Sequence, residues 1–248
     1  MGYYKKIKKQ LSAVLAVLIV LISGCSTFRL REQTPPPNIA DAAVTILKVE
    51  DARGKGANYL GVDLVGYVIV PIFWFQYKSS EPLSEVTANL LVDKMIAGGI
   101  PASYQQHLTL DSIGNFPKDH LFVETTIRKF SLDYTLLHLI IAFGPGSTIK
   151  SEVSLDMKVY SAPAGDLVWE GTLSGKDRAP YDYSVMQSKV SAGSSWQDVA
   201  HYYPQKVVGK IFDSMVSKFI YEAGLQDISG QPLKMHHRRQ SGGSAPTI

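Results

Sequence analysis

The clearest alternation of hydrophobic and polar positions lies in the second half of the chain. Between residues 149 and 159 apolar side chains alternate with charged or hydroxyl-bearing ones, which is typical of a strand with one buried face. The turn-forming sequence APAGD, residues 162–166, leads into a second run in which Leu167, Trp169 and Leu173 share a side. The pattern predicts an antiparallel hairpin.

Two other segments predict strands. Residues 44–50 and residues 121–130 are rich in the β-branched and aromatic side chains that favour pleated, half-buried surfaces. A third run, residues 64–75, has a similar composition but contains Pro71, which a central strand would reject. We therefore expect that run to be an edge strand or an apolar loop.

Helical spacing of apolar residues predicts a first helix that ends before residue 98. Ser79 or Ser80 is expected to cap its N-terminus, Pro82 to occupy its first turn, and Gly98 and Gly99 to end it. The interpretation combines a start signal, an apolar side and a stop signal in one segment.

A second helix is predicted near the C-terminus, where residues 208–219 carry apolar side chains at helical spacing. Ser195 and Asp198 approximate a capping box at its start, and Gly224 fits its end. Pro204 is expected to kink or restart this helix, because proline removes a backbone donor.

The order of these elements predicts an α+β fold. We expect a two-layer domain over residues 41–228, with a mixed or antiparallel sheet of about four strands and two helices on one face. No internal repeat is visible in the sequence.

The N-terminal segment reads as an export signal over residues 1–24. Four lysines precede an apolar run, residues 11–22, which is shorter than the roughly 20 residues that span a bilayer. The residues that follow, through Gly24 and Cys25, resemble the bacterial lipobox, which implies cleavage between these two and lipidation of Cys25. The alternatives are a plain cleaved signal with a leftover thiol and an uncleaved membrane anchor.

Lipidation would place the mature protein on a membrane. In such lipoproteins an aspartate directly after the cysteine would prevent transfer to the outer membrane, and this chain has Ser26 at that position. The resemblance therefore implies that the protein lies at the periplasmic face of the outer membrane of a Gram-negative cell. Residues 25–40 contain three consecutive prolines and are expected to form a semi-rigid tether. Residues 229–248, with few apolar side chains, are expected to be disordered.

Removal of the leader changes the charge balance. The whole chain has 25 basic and 22 acidic residues, and loss of four leader lysines leaves 21 against 22. The mature chain is therefore close to neutral, and we expect no binding of nucleic acid.

Two apolar runs, residues 64–75 and 136–143, are the candidates for contact with a partner or a membrane. The contact residues expected within them are Phe73, Trp74, Leu139, Ile140 and Phe143. The alternative for each run is burial in the core, and the sequence leaves both interpretations open.

Catalytic and metal-binding patterns are weak. Residues 171–177 approach a phosphate-binding loop but are one residue short, and His236 and His237 lie in the polar tail. Asp51 and Arg53 are expected to form a structural hydrogen-bonded pair. We therefore expect the protein to have no enzymatic activity and to bind no metal or cofactor. An enzyme would need polar residues from distant segments to converge, such as Asp133, His138 and Asp182.

The chain resembles the YajG-like envelope lipoproteins in four features. These are a lipobox, a proline-containing tether, a first strand ending in Asp-x-Arg and a helix ending in MIAGG. The resemblance implies a non-catalytic component of the cell envelope with an envelope protein as partner. The two apolar insertions and the polar tail depart from that layout. The alternative function is an auxiliary lipoprotein that binds a lipid or small molecule for a transport system.

Overall fold

The fold is described from a computed structural model. It describes residues 26–31, 43–65, 73–134, 148–180, 183–194 and 196–225. Only the backbone is described for residues 26, 61–65, 73–77, 134, 183, 186–187, 190 and 196–200. Elements below are numbered along the chain within these ranges.

Strands within the described ranges form two sheets where the sequence predicted one. The larger has five strands in the order β5-β2-β6-β7-β8, and the smaller has three in the order β1-β4-β3. Their bounds are β1 Ser26–Phe28, β2 Val44–Asp51, β3 Tyr59–Val65, β4 Phe73–Ser79, β5 Ala102–Tyr104, β6 Leu121–Tyr134, β7 Thr148–Ser161 and β8 Asp166–Pro180.

The α+β class is confirmed, but the described residues contain more helical segments than the two predicted. Helix α1 spans Leu83–Ala97, a 3-10 helix spans Leu110–Asn115, α2 spans Tyr183–Ser191 and α3 spans Trp196–Glu222. The two short helices have six and nine residues, fewer than the 11–18 residues over which a helical period is recognised.

The predicted hairpin is present as β7 and β8, which pair antiparallel along almost their whole length. Strand β6 pairs antiparallel with the other side of β7, and β2 lies parallel to both β5 and β6. The sheet is therefore mixed, as predicted. The crossover between the parallel strands β2 and β5 contains the β3–β4 hairpin and α1.

Leu167 does not share a buried side with Trp169 and Leu173, and that prediction is wrong. Trp169 pairs with Val159, while Leu167 pairs with the next residue, Tyr160, so one residue of β8 is bulged. Because the bulge adds one residue, Leu167 and Trp169 lie on opposite faces of the sheet although they are two positions apart. Leu167 is consequently 48% exposed, and Leu173 is fully buried.

The main core lies between one face of the larger sheet and helices α1 and α3. The large, fully buried side chains there include Phe212 and Phe219 of α3. Gly175 of β8 allows the closest approach, since a Cβ at that position would lie 2.7 Å from Cγ2 of Ile211. Helix and strand therefore leave no room for a ligand at this point.

The opposite face of the larger sheet is covered at one end. Ile113 of the 3-10 helix packs on Leu47, Phe122 and Ala162 in a second apolar cluster. Phe122 points to this face because alternate residues of β6 point in opposite directions. The rest of the face carries charged side chains, as expected.

The predicted cap of α1 is wrong, whereas its end is as predicted. Pro82 occupies the N-cap position without a side-chain cap bond, and Ser79 accepts a hydrogen bond from the amide of Glu81 at 3.3 Å instead. Gly98 is the C-cap residue, and Gly99 has a φ of +82°. Glycine adopts such a φ without the steric cost of a Cβ.

Helix α3 runs through Pro204 without a restart, so that part of the prediction is wrong. Gly224, with a φ of +67°, follows its last residue as expected. Ser195, the predicted cap, lies outside the described residues.

Candidate functional site

Only some of the residues predicted to carry function lie within the described part of the chain. Gly24 and Cys25 lie outside it, as does the whole of residues 136–143 with Leu139, Ile140 and Phe143. Phe73 and Trp74 begin strand β4, and only their backbone is described. The run 64–75 is therefore neither one edge strand nor one loop: it includes the end of β3 and the start of β4.

Residues 26–31 belong to the domain, so the part of the predicted tether that directly follows Cys25 is corrected. The rest of that tether, residues 32–40 with the three prolines, lies outside the described residues. Residues Ser26–Phe28 form strand β1, and the side chains of Phe28 and Leu30 are buried in the main core. Strand pairing and burial fix these residues. The sequence offered little to indicate this, because three residues are too few to show a strand period.

Backbone hydrogen bonds hold this segment between β4 and α3. The carbonyl of Phe28 accepts a hydrogen bond from the amide of Ser80 at 2.8 Å. The amide of Arg29 donates to Nδ1 of His201 at 2.9 Å. These contacts fasten the chain within four residues of the expected lipidation site.

Arg31 adds a contact with both long helices. Its guanidinium lies 3.6 Å from the carboxylate of Asp93 on α1, and its carbonyl accepts a hydrogen bond from Gln205 of α3 at 3.4 Å. Burial raises the pKa of Asp93 by more than the charge of Arg31 lowers it. The ion pair is thus a loose one, consistent with its length.

Strand register relates the beginning of β1 to the β3–β4 hairpin. Strand β1 runs parallel to β4, with Ser26 opposite Tyr77 and Phe28 opposite Ser79. The last pair of the hairpin before its connection is Val65 with Phe73. The beginning of β1 therefore faces the connected end of the hairpin, about 13 Å from Phe73 at 3.3 Å per residue.

Asp51 and Arg53 form the hydrogen-bonded pair that the sequence predicted. Nε and Nη2 of Arg53 donate to the two carboxylate oxygens of Asp51 at 2.7 and 2.6 Å. Burial raises the pKa of Asp51, but the hydrogen bonds and charge of Arg53 outweigh it and lower that pKa below its ordinary value. Both side chains are largely buried.

The same guanidinium also joins the two sheets. Its Nη1 donates to the carbonyl of Tyr59 in β3 at 2.6 Å and to the carbonyl of Phe130 in β6 at 3.1 Å. Arginine suits this position because its planar fork can satisfy a carboxylate and further acceptors at once. The geometry gives the pair a structural role, with the donors of Arg53 used within the protein.

One buried polar cluster was not found from the sequence. Oγ1 of Thr45 lies 2.8 Å from Nε2 of His120 and 3.2 Å from Oγ of Ser103. The ring of His120 packs against those of Phe116 and Phe122, which also contact each other, and burial lowers the pKa of its imidazole. Residues this far apart in the chain give no local motif.

This cluster lacks the parts of a nucleophilic site. A serine–histidine pair needs direct contact, whereas Thr45 stands between Ser103 and His120. Among the described residues no carboxylate hydrogen-bonds His120 to orient it. The arrangement satisfies polar groups at the edge of the second apolar cluster.

The other chemical candidates are either dispersed or outside the description. Residues 171–177 lie within strand β8 and open no helix, unlike a phosphate-binding loop. Asp133 is exposed on β6, while His138 and Asp182 fall outside the described residues with His236 and His237. Within the ranges that the structure covers, no three His, Cys, Asp or Glu side chains cluster to hold a metal.

In the part of the chain that the structure covers, none of the helices is long and apolar enough to cross a bilayer.

Several solved bacterial proteins are distantly similar. A DUF330-family protein from Xanthomonas campestris is 11% identical with a TM-score of 0.43, covering 81% of this chain and 96% of that one. A minor lipoprotein from Acinetobacter baumannii is 8% identical with a TM-score of 0.29, covering 72% of this chain and 94% of that one. A lipoprotein from Neisseria meningitidis is 10% identical with a TM-score of 0.27, over 61% and 94%.

No protein-family model matches the chain, and neither does any curated protein. Structural similarity at this level carries no assignment of family or function. The resemblance to YajG-like lipoproteins therefore stays a prediction.

Proposed function

We propose that the protein is an outer-membrane lipoprotein, anchored through Cys25, whose domain acts at the periplasmic face as a non-catalytic binding or assembly module. The leader and the lipobox-like residues before Ser26 support the anchor. Several acyl chains on one cysteine would hold the domain firmly, because each buried CH₂ contributes about 0.8 kcal/mol.

The observation that carries the proposal is the parallel pairing of β1 with β4. Because Ser26 is already held opposite Tyr77, the lipid would be attached one residue from a fixed strand. The anchor would then face the same way as the connection between β3 and β4, whose flanks are Phe73 and Val65. In this arrangement the apolar run 64–75 contacts the leaflet that holds the lipid.

The second apolar run has a separate role in this proposal. Residues 136–143 connect β6 to β7 in the larger sheet and are as apolar as a core strand. With the membrane already engaged by Cys25 and the β3–β4 hairpin, Leu139, Ile140 and Phe143 are the proposed contacts for an envelope protein.

The leaflet contact is tested by site-specific photo-crosslinking in cells. A photoreactive amino acid at position 74 of the full lipidated chain is expected to crosslink to lipid. The same amino acid at Val168, which is 54% exposed and apolar but lies on β8, serves as the control and is expected not to do so. Crosslinking of position 74 to protein alone, or equal lipid crosslinking at both positions, would contradict the leaflet contact.

The partner contact is tested by substitution and affinity purification. Replacement of Leu139, Ile140 and Phe143 by serine is expected to remove envelope proteins that co-purify with the wild-type chain while the unfolding midpoint stays unchanged. Replacement of Tyr221, an 82% exposed aromatic residue on α3, by serine provides the control. An unchanged set of co-purifying proteins, or unfolding of the triple variant, would rule out this contact.

A further inference from the structure

The outer edge of strand β8 is unusually long for an open sheet edge. The strand has 15 residues and stands last in the order of the larger sheet. In the ranges that the structure describes, its outer side pairs with no other strand. Natural edge strands are typically kept short, bulged or blocked, because an open edge is a template for another strand.

Most of this edge is regular. From Trp169 to Pro180 the ladder with β7 has no register shift, and the single bulge lies before Trp169. Helix α3 packs across the face of β7 and β8, as the close approach at Gly175 shows. Among the described residues, no other backbone group bonds the outer side of this straight run, and its donors and acceptors are available for pairing.

The sequence of β8 is complementary to itself around Leu173. If two copies pair antiparallel with Leu173 opposite Leu173, Thr172 meets Ser174, Gly171 meets Gly175 and Glu170 meets Lys176. The register therefore brings small residues together near the two-fold axis and opposite charges on each side of it. Directly opposed side chains have Cβ atoms about 5 Å apart, close enough for both charge pairs to form.

Charged side chains form two rows across the exposed face of the larger sheet, and both rows favour the same register. Lys129 of β6 lies 2.7 Å from Glu152 of β7, and Glu152 lies 3.0 Å from Lys176 of β8. In a second row, Lys158 of β7 lies 3.6 Å from Glu170 of β8. Each row alternates in sign and reaches the open edge, where the partner copy would supply the next opposite charge.

We propose that two copies of this chain associate through antiparallel pairing of β8 with β8, in the register centred on Leu173, to form one continuous ten-stranded sheet from the two larger sheets. The interface is isologous, so that each contact between Glu170 and Lys176 occurs twice. The pairing does not depend on the lipid anchor.

Charge reversal tests the register. In the full mature chain extracted in detergent, Glu170→Lys places lysine opposite lysine, and Lys176→Glu places glutamate opposite glutamate. Each single variant is expected to weaken the dimer at least tenfold in Kd, measured by sedimentation. The double variant is expected to restore it, because lysine then meets glutamate again.

The double variant carries its own control for folding. It retains both like-charge contacts that the single variants create within one copy, next to Lys158 and next to Glu152. Recovery of the dimer can therefore come only from the contact between copies. A monomeric wild type, or a double variant no better than the single ones, would overturn the proposal.

Disulfide trapping in cells gives an independent measurement. The chain has one cysteine of its own, Cys25, so engineered thiols are easily followed. Thr172→Cys with Ser174→Cys is expected to yield a disulfide-linked dimer, and Ser154→Cys, on the interior strand β7, is expected to yield none. Linkage of the double cysteine variant to a different protein, without the dimer, would refute self-pairing.

Discussion

Ser26 stands opposite Tyr77 in a parallel ladder, so strand structure begins one residue after the cysteine that we propose carries the lipid. A lipoprotein domain on a long tether would have free orientation at the membrane surface. Here the pairing restricts the orientation of the small sheet, with the connected end of the β3–β4 hairpin on the anchor side. The direct consequence is that residues 26–31 contribute to folding stability.

Leu30→Ala is expected to lower the free energy of unfolding by about 2–5 kcal/mol, because a fully buried leucine leaves a cavity when truncated. Leu30 is 1% exposed and packs in the main core. Leu167→Ala, at a 48% exposed position, is expected to change it by no more than about 0.5 kcal/mol. Urea denaturation measures both. If both substitutions change the free energy of unfolding by the same negligible amount, residues 26–31 are a tether and not part of the core.

Arg53→Ala is expected to destabilise the domain by about 3–5 kcal/mol, since it leaves the buried carboxylate of Asp51 without its counter-ion. It also removes the donor that bonds the carbonyls of Tyr59 and Phe130. Arg53→Lys is expected to recover only part of the loss, because an ammonium cannot reproduce the planar fork.

The matched control for Arg53 is Arg128→Ala. Arg128 also bonds an aspartate, Asp156, but its side chain is 58% exposed, against 4% for Arg53. Exposed pairs contribute at most about 1 kcal/mol. Similar losses for Arg53→Ala and Arg128→Ala in urea denaturation would show that the guanidinium of Arg53 does not join the sheets.

Gly175→Ala is expected to cost about 1–3 kcal/mol, since the new methyl group would meet Ile211 at 2.7 Å and the branched isoleucine has few alternative rotamers. Gly56→Ala is the control, with no atom within 4 Å of the added Cβ. In the Ile211→Ala background, Gly175→Ala should cost less. A double-mutant cycle with no coupling would contradict the close contact of α3 with β8.

His120 predicts a specific dependence of stability on pH. Burial lowers the pKa of its imidazole in the folded state below the ordinary 6.5, so the unfolded chain binds a proton first as the pH falls. The contribution of neutral His120 is therefore complete above pH 6.5 and is lost as the pH falls from there towards the folded-state pKa.

His120→Gln should reduce the difference in unfolding free energy between pH 7.5 and pH 5.5, because glutamine does not bind a proton in this range. Urea denaturation at the two pH values measures this difference. An unchanged pH dependence in His120→Gln would mean that His120 titrates normally in the folded protein.

How much of the fold the sequence predicts depends on how local each signal is. The β7–β8 hairpin is predicted because residues 149–159 repeat one period, and the end of helix α1 is predicted because Gly98 and Gly99 form a local stop signal. The exposed position of Leu167 is not predicted, because a single bulge in β8 reverses the face of its side chain while the alternation in the sequence stays intact. The short strand β1 has no period to detect.

The candidate site shows the same limit. The Asp51–Arg53 pair was predictable from its spacing, but two further acceptors of Arg53 are backbone carbonyls, which every residue carries. The contact of Thr45 with Ser103 and His120 depends on strands β2 and β5 lying side by side. Only the folded sheet brings those residues together.

The central claim is that Cys25 carries the membrane anchor, and metabolic labelling with an alkyne analogue of palmitate tests it most directly. Wild-type protein is expected to be labelled and to fractionate with the outer membrane. Cys25→Ala is expected to be unlabelled and to accumulate with its leader still attached. Labelling of Cys25→Ala, or an unlabelled wild type released into the soluble periplasm, would contradict the account.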